Sequence, residues 1–213
     1  MSIVSELYQT RWVRERYDRQ AATYDLKAAF VEPMIALWRQ WLWKHVRGPR
    51  ILEIGVGTGR NFPYYRPEWE IIAVDLSERM LERARRKAQR LGLKVRLLPM
   101  DAQCLAFPDA FFDTVIATWV FCSVPDPVRG LREAYRVLRP GGRLLLLEHV
   151  RAPDPLGRWM DFLDPLVVRW SGAHINRRTV ENVRQAGFEI EALHTSFFGI
   201  VKRIVARRSE ATS

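Results

Sequence analysis

From Arg50 onward, short apolar runs alternate with amphipathic stretches along the chain. Apolar runs without polar alternation are typical of strands that are covered on both faces, and the amphipathic stretches between them predict helices. The predicted strands are residues 51–54, 71–75, 95–98, 114–118 and 143–148, and the predicted helices are 77–91 and 127–138. This succession predicts an α/β fold, in which helices are wound around a parallel sheet.

The C-terminal part predicts how the sheet is closed. Asn176 is expected to cap a helix that reaches Ala186, with Gly187 as its end signal. Residues 188–196 and 199–207 then read as a closing strand pair. The predicted fold class is therefore a Rossmann-like doubly wound sheet, mostly parallel, with an antiparallel closing strand.

Two segments lie outside this alternation. Residues 1–49 contain two helical patterns, 2–22 and 30–46, and are predicted to form an N-terminal helical cap. Residues 50–213 would form the α/β domain, interrupted at about 151–175 by a segment in which aromatic residues stand among prolines. Both segments are candidates for a lid over a ligand.

Composition narrows the class of protein. The chain has 213 residues, of which 48% are hydrophobic and 27% charged, as expected for a folded domain. Its two cysteines, Cys104 and Cys122, are too few for a secreted disulfide scaffold, and neither a signal peptide nor a long apolar run is evident. We therefore expect a cytoplasmic protein, and the scattered histidines predict no metal site.

The net charge of +10 is spread over the whole chain and is not concentrated in one tail. Such a surface attracts anionic membranes or nucleic acid, or it keeps the protein in solution. The charge alone leaves these alternatives open.

The strongest chemical signal follows the first predicted strand. Gly55, Gly57 and Gly59 are closely spaced there, and bare backbone lets a ligand approach where a Cβ would clash. Glu53 precedes them, and a carboxylate buried at a strand end needs a structural or functional reason. Asp75 ends the second strand, where a carboxylate can accept hydrogen bonds from both hydroxyls of a ribose.

Nicotinamide dehydrogenases share this arrangement, so the two interpretations must be separated. The dinucleotide fingerprint requires a third small residue at the position that Arg60 occupies here. The start of the following helix is therefore less suited to a pyrophosphate, and an NAD-dependent oxidoreductase is kept as a remote alternative.

The chain resembles the class I S-adenosylmethionine-dependent methyltransferases over about residues 15–205. The resemblance lies in five successive motifs: ILEIGVGTGRN, IIAVDLSERML, PMDAQCLAF, DTVIATWVFCSV and LRPGGRLLLLEHV. It implies that S-adenosylmethionine is the cofactor. The residues it implies for cofactor binding are Glu53, Gly55, Gly57, Gly59 and Asn61 around the glycine loop, Asp75 at the ribose, Leu76 and Met80 beside the adenosine, Asp101 and Ala102 at the adenine, and Thr118 and Trp119 facing the methyl donor.

Each of these roles has a structural alternative. For Asp101 the alternative is a turn carboxylate, and Trp119 could equally be a core residue. Residues 17–25, YDRQAATYD, resemble the leader that precedes the first strand in many of these enzymes. By this resemblance Tyr24, and after it Tyr17, would close over the cofactor, the alternative being that both rings pack on the sheet.

The acceptor is less directly indicated. His149 follows the strand 143–148, at the edge where open α/β sheets bind ligands, so it is a candidate for orienting the acceptor or taking its proton. A satisfied polar residue at a strand terminus is the alternative. Residues 30–47 carry tryptophans among cations, a composition typical of membrane-surface helices, and the later segment adds Trp159, Phe162 and Trp170. Plain packing of these helices on the sheet is the competing interpretation.

Within the family, the motifs look most similar to bacterial phospholipid N-methyltransferases, which methylate phosphatidylethanolamine. Membrane-associated thiol S-methyltransferases come second, and quinone C-methyltransferases third, because residues 26–28 lack the asparagine that usually follows their leader. Residues 118–121 also lack the Asn/Asp-Pro-Pro-aromatic tetrapeptide of nucleobase methyltransferases. The expected partners are therefore a small-molecule or lipid acceptor and an anionic membrane surface, reached by peripheral association, and not nucleic acid. The oligomeric state is not predicted.

Overall fold

The structure is a computed structural model that describes residues 3–28 and 32–210. Within these residues, seven strands form one sheet. The strands are β1 Arg50–Ile54, β2 Glu70–Asp75, β3 Val95–Pro99, β4 Phe112–Thr118, β5 Leu138–His149, β6 Glu189–Ser196 and β7 Val201–Arg207. The helices are α1 Ile3–Gln20, α2 Tyr24–Ala28, α3 Glu32–Trp43, α4 Glu78–Arg90, α5 Pro127–Val137, α6 Leu156–Ser171 and α7 Thr179–Gln185, with a 3₁₀ turn at Phe62–Tyr64.

The strand order is β3-β2-β1-β4-β5-β7-β6. The first five strands are parallel, and β7 runs antiparallel to both of its neighbours. The predicted doubly wound sheet with an antiparallel closing strand is confirmed. Because the order reverses between β1 and β4, a crevice for a ligand is expected beyond the carboxyl ends of these two strands.

The central strands are apolar on both faces because each face packs against helices. Leu52 of β1 belongs to the core under α5 and α7, whereas its neighbour Ile51 packs with Leu42 and Trp43 of α3 on the other side. Each such buried aliphatic side chain contributes about 1.5–3 kcal/mol relative to exposure. The rigid double-sided core holds the strand ends, and hence the crevice, in place.

Local sequence signals decide where some of the helices begin and end. Ser77 caps α4, since its hydroxyl accepts a hydrogen bond from the Met80 amide at 3.1 Å. The prediction that Asn176 caps the C-terminal helix is wrong: α7 begins at Thr179, and no side chain caps it. The Asn176 side chain instead donates to Asp161 at 3.2 Å, because a tertiary partner competes with the local backbone. Gly187 follows the helix end with a φ of +99°, as its predicted role requires.

The two segments outside the alternation contact each other. The first predicted helix is α1, and the second is α3, although Ser2 and Phe30 lie outside the described residues. Residues 151–175 contain α6. The backbone carbonyl of its last residue, Ser171, accepts a hydrogen bond from the side-chain amide of Gln20 at 3.1 Å. Among the helices that the structure describes, none has both the length and the apolar character needed to cross a bilayer.

Candidate functional site

A cavity opens beyond the carboxyl ends of β1, β2 and β4, where the strand order reverses. Most of the residues predicted to bind the cofactor line it: Tyr17, Tyr24, Gly55, Gly57, Asp75, Leu76, Met80, Asp101, Ala102, Thr118 and Trp119. The other lining residues were not predicted from the sequence: Val13, Ile54, Met100, Val120, Ser123, Val124 and Pro125. The last four follow β4 directly, so their position at a strand end was the available signal.

The three glycines of the loop after β1 have different surroundings. Gly55 and Gly57 line the cavity with φ of +69° and +55°. A Cβ at Gly55 would lie 2.3 Å from Val120 Cγ2, whereas one at Gly57 would meet no protein atom within 4 Å. Gly59 is outside the cavity lining, and a Cβ there would lie 2.3 Å from Phe62 Cε2. Gly57 therefore leaves its backbone open to a ligand, while Gly59 serves packing.

Asp75 joins the glycine loop to the loop after β2. Its Oδ2 accepts a hydrogen bond from the Gly57 amide at 2.8 Å, and its Oδ1 accepts one from the Ser77 amide at 2.9 Å. Burial raises the pKa of Asp75 to about 6, although these backbone donors favour the charged form. A carboxylate fixed in this way beside the cavity has the acceptor chemistry that a ribose diol requires.

Two tyrosines of the N-terminal segment form a wall of the cavity. The Tyr17 hydroxyl lies 2.6 Å from Ser123 Oγ, and the Arg60 guanidinium lies 5.4 Å from the centre of the Tyr24 ring. Burial raises the pKa of both phenols above the ordinary value. Both are therefore protonated at neutral pH, where they can form hydrogen bonds but not act as general bases.

Apolar side chains and a second acid also line the cavity. Leu76, Met80 and Ala102 line it together with Asp101. The Asp101 carboxylate accepts a hydrogen bond from the Gln103 amide at 2.9 Å, so the turn role considered from the sequence is present. The same residue lines the cavity, and the two roles are compatible.

A buried polar network lies behind Thr118. Arg39 of α3 donates from Nη1 to Asn61 Oδ1 and to Thr118 Oγ1, each at 2.8 Å. Asn61 donates to Glu53 Oε1 at 2.8 Å, and the Tyr65 hydroxyl donates to Glu53 Oε2. Burial raises the pKa of Glu53 to about 7. Glu53 and Asn61 are thus placed behind the cavity lining, where they support Thr118.

Trp119 is the first residue after β4 and has a φ of +61°. A non-glycine residue in this left-handed region costs of order 1–3 kcal/mol and is often found at ligand sites. The ring lines the cavity, and its Nε1–H has no hydrogen-bond partner among the residues that the structure describes. The structure therefore combines strain and a free donor at the position predicted to face the methyl donor.

His149 is not brought into the cavity lining. It ends β5 as predicted, but it is half-buried, and burial lowers the pKa of its imidazole. The preceding residue, Glu148, accepts hydrogen bonds from the Val120 and Phe121 amides at 2.9 and 3.1 Å. The end of β5 therefore supports the loop after β4, and the predicted role of His149 toward an acceptor stays a prediction.

Comparison with known proteins places this site among methyl-transferring enzymes. Residues 52–146 match a family described as a methyltransferase domain. The chain is 43% identical over 115 residues to a phosphatidylethanolamine N-methyltransferase of Cereibacter sphaeroides, covering 53% of this chain and 57% of that protein. It is 36% identical to a demethylmenaquinone methyltransferase of Symbiobacterium thermophilum, and the match covers 71% of this chain and 63% of that protein. It is 32% identical to a thiol S-methyltransferase of Rattus norvegicus, and the match covers 65% of this chain and 59% of that protein.

A solved structure extends the similarity over nearly the whole chain. A SAM-dependent methyltransferase from Thermotoga maritima superposes with a TM-score of 0.70 at 26% identity, covering 92% of this chain and 100% of that one. The matched segments span less than two thirds of the length of the curated relatives.

Proposed function

Because residues 52–146 belong to the methyltransferase-domain family, we propose that this chain transfers a methyl group from S-adenosylmethionine to a lipophilic acceptor. The cofactor supplies a methyl group that is already activated on a sulfonium. The protein has to hold the donor, align the acceptor and exclude water. One observation carries the proposal: Asp75 and Gly57 meet at the cavity, one as a fixed carboxylate and the other as bare backbone.

The lining residues suit the parts of this cofactor. The Asp75 carboxylate would accept hydrogen bonds from the ribose hydroxyls. The backbone of Gly55 and Gly57 would bind the amino-acid end of the cofactor. Leu76, Met80 and Ala102 offer an apolar slot for the adenine, with Asp101 as its polar contact. Tyr17 and Tyr24 would cover the cofactor from the N-terminal side.

The methyl group would face Thr118 and Trp119. The Thr118 hydroxyl is held by Arg39, and Trp119 follows it with a φ of +61°. Because the lining phenols are protonated and cannot take a proton from the acceptor, an acceptor amine would have to lose its proton to water before the transfer. The nitrogen lone pair then forms the new bond to carbon while the bond between carbon and sulfur breaks.

Phosphatidylethanolamine is the acceptor that we favour. The supporting observations are the relative of that name and the exposed apolar residues of α6. A thiol or a quinone precursor is the alternative, since relatives with those activities also match. An NAD-dependent oxidoreductase stays a remote alternative, disfavoured by Arg60 at the position where the dinucleotide fingerprint has a small residue.

Association with an anionic membrane belongs to the same proposal, as does a cytoplasmic location. The support for membrane association is the net charge of +10 together with the apolar surface of α6.

A labelled-methyl assay tests the acceptor. The purified chain is incubated with methyl-labelled S-adenosylmethionine and, separately, with phosphatidylethanolamine, an alkyl thiol or a demethylated quinone, each dispersed in detergent. We expect label in the phospholipid. Label only in the thiol or only in the quinone would show that phosphatidylethanolamine is the wrong acceptor. Binding of NADH without binding of S-adenosylmethionine would overturn the assignment as a methyltransferase.

A further inference from the structure

The helix α6 is fixed to the protein through one face only. Gly157, Met160 and Asp164 are its buried residues. The Asp164 carboxylate lies 2.7 Å from His174 Nδ1 and accepts a hydrogen bond from the Ile175 amide at 2.8 Å. These contacts hold the inner face in a defined orientation, so the opposite face has a defined orientation as well.

That opposite face, called here the outer face, is apolar and exposed. Its positions are three, four and seven residues apart, so they form one stripe along the helix. Phe162 and Trp170 are each 77% exposed. The full set is Leu156, Trp159, Phe162, Leu163, Leu166 and Trp170. Large aromatic side chains that share one exposed stripe mark an interaction surface.

The tryptophans of α3, which the sequence also suggested for a membrane surface, have partners within the fold. Trp43 is 3% exposed, and its ring centre lies 5.8 Å from that of Trp69. Trp38 packs edge-on against Phe197, and Trp41 against His194. The outer face of α6 is therefore the better candidate for contact with lipid.

The surroundings of the outer face are cationic. Arg158 and Arg169 lie beside the stripe on the exposed side of the helix. The neighbouring acids Asp154 and Asp161 both pair with Arg151, at 2.7 and 2.9 Å, and Asp154 also contacts Arg158 at 3.3 Å. The ion pair with Arg158 is exposed, so it contributes little and the arginine can exchange it for a lipid headgroup. A second cavity adjoins the residues that lead into α6, and its lining includes Arg177, Arg178, Arg184 and Lys202 together with Glu181. Apolar rings flanked by cations match an anionic bilayer surface, where rings enter the interface and cations meet headgroups.

The C-terminal end of α6 also adjoins the cofactor cavity. A Cβ on Gly172 would lie 3.0 Å from Arg16 Cγ, and the adjacent Tyr17 lines the cavity. The His174 amide donates to the Cys122 carbonyl at 2.9 Å, beside the lining residue Ser123. A lipid held at the outer face would thus lie near the rim of the cavity.

We propose that the outer face of α6 docks the protein on an anionic lipid bilayer. The proposal deepens the proposed function, on which it rests for the lipid nature of the acceptor. Trp159, Phe162 and Trp170 enter the interface, and Arg158 and Arg169 lie at the level of the headgroups.

Cosedimentation with vesicles tests the docking. Vesicles of phosphatidylglycerol and phosphatidylcholine, which contain no proposed acceptor, are mixed with the full chain. The outer-face pair Phe162→Gln and Leu166→Gln is compared with a control pair of exposed leucines elsewhere, Leu37→Gln and Leu91→Gln. We expect the outer-face pair to bind roughly tenfold more weakly than the wild type, and the control pair to bind equally well. The proposal is overturned if the outer-face pair binds vesicles as well as the wild type does. It is also overturned if both pairs lose vesicle binding to the same extent.

Two further measurements exclude other causes. Binding of S-adenosylmethionine at the wild-type level shows that each variant is folded. Light scattering tests a second copy of the chain as the occupant: a dimer that the outer-face pair dissociates, with vesicle binding intact, contradicts bilayer docking. Lipids brominated on the acyl chain should quench the wild-type fluorescence, and Trp170→Phe should reduce that quenching; quenching that Trp170→Phe leaves unchanged counts against the outer face.

The failure of docking and the failure of the proposed function give different results. If the outer-face pair methylates phosphatidylethanolamine in detergent but not in vesicles, both stand. If it methylates equally well in both, docking is contradicted and the acceptor stands. If no variant methylates phosphatidylethanolamine while vesicle binding follows the expected pattern, docking stands and the acceptor is wrong.

Discussion

Arg39 and Thr118 are joined by a buried hydrogen bond of 2.8 Å, from the guanidinium to the hydroxyl. Arg39 lies on α3 and Thr118 ends β4, so the bond ties the N-terminal helical segment to the strand end at the cavity. The same guanidinium holds Asn61, which in turn holds Glu53. The N-terminal helices are therefore part of the architecture of the site, in addition to covering it.

Replacing Arg39 by Met should destabilise the protein. The change leaves the buried Asn61 Oδ1 without its donor, which costs about 1–3 kcal/mol. Thr118 Oγ1 loses the bond from Arg39 and keeps the one from Asn61 Nδ2 at 3.1 Å. A lower thermal midpoint and weaker binding of S-adenosylmethionine are expected. Arg66→Met removes an exposed arginine whose ion pair with Glu68 is 3.9 Å long, and it should have little effect. Equal midpoints for the two variants would contradict the role given to Arg39.

Asp75→Ala should lower the affinity for S-adenosylmethionine by at least roughly tenfold, because hydrogen bonds to a charged acceptor contribute about 1.5–3 kcal/mol. Isothermal titration calorimetry measures the loss. Asp109→Ala is the matched control, since this exposed acid lies outside the cavity and pairs with Arg136. Wild-type affinity in Asp75→Ala would remove the central assignment of the site.

The affinity should also fall as the pH is lowered through about 6. The charged form of Asp75 is the better acceptor for ribose hydroxyls, and burial raises the pKa of this carboxyl to about 6. Titrations between pH 5 and pH 8, at constant ionic strength, follow the change. An affinity that stays constant across this range would show that the ionisation of Asp75 is not linked to binding.

Glu148 should make the folded state less stable as the pH rises. Burial raises its pKa to about 7 from an ordinary value near 4.5, so between these values the folded state holds a proton that the unfolded state has lost. Its contribution to the free energy of unfolding is therefore largest at low pH. That contribution decreases by about 1–3 kcal/mol as the pH rises to 7. Glu148→Gln keeps an acceptor for the Val120 and Phe121 amides. Chemical denaturation at pH 5 and pH 8 should show a smaller pH dependence in this variant, and an unchanged dependence would refute the assignment.

The sequence predicts the strands and most of the cavity because both follow from local rules. Strands buried on both faces appear as apolar runs, and the residues after β1, β2 and β4 must meet at one edge of the sheet. The sequence does not reveal which way a side chain points beyond that edge. His149 was predicted at the edge and lies there, yet outside the cavity lining, because neighbouring residues of a strand point to opposite faces.

Arg39 shows a second limit. Among the tryptophans of α3 it reads as one cation of a membrane-surface helix, but it lies three residues before Leu42 on the buried face. Its partners, Asn61 and Thr118, are distant in sequence, so a single chain gives no sign of the network. The same reason explains Asn176, which precedes α7 and whose partner Asp161 lies 15 residues away in α6.

Gly57→Ala should separate binding from folding, and Gly92 provides a matched control. Both glycines have positive φ, +55° and +64°, and a Cβ on either would meet no protein atom within 4 Å. Alanine in the left-handed region costs about 1–2 kcal/mol at each position, so the two variants should lose similar stability in chemical denaturation. Only Gly57 lines the cavity, so Gly57→Ala alone should weaken the binding of S-adenosylmethionine, by roughly tenfold or more, as the new methyl group obstructs the approach of the ligand to the backbone. If both variants bind the cofactor equally well, the bare backbone at Gly57 is not a contact surface, and the ligand must lie elsewhere in the cavity.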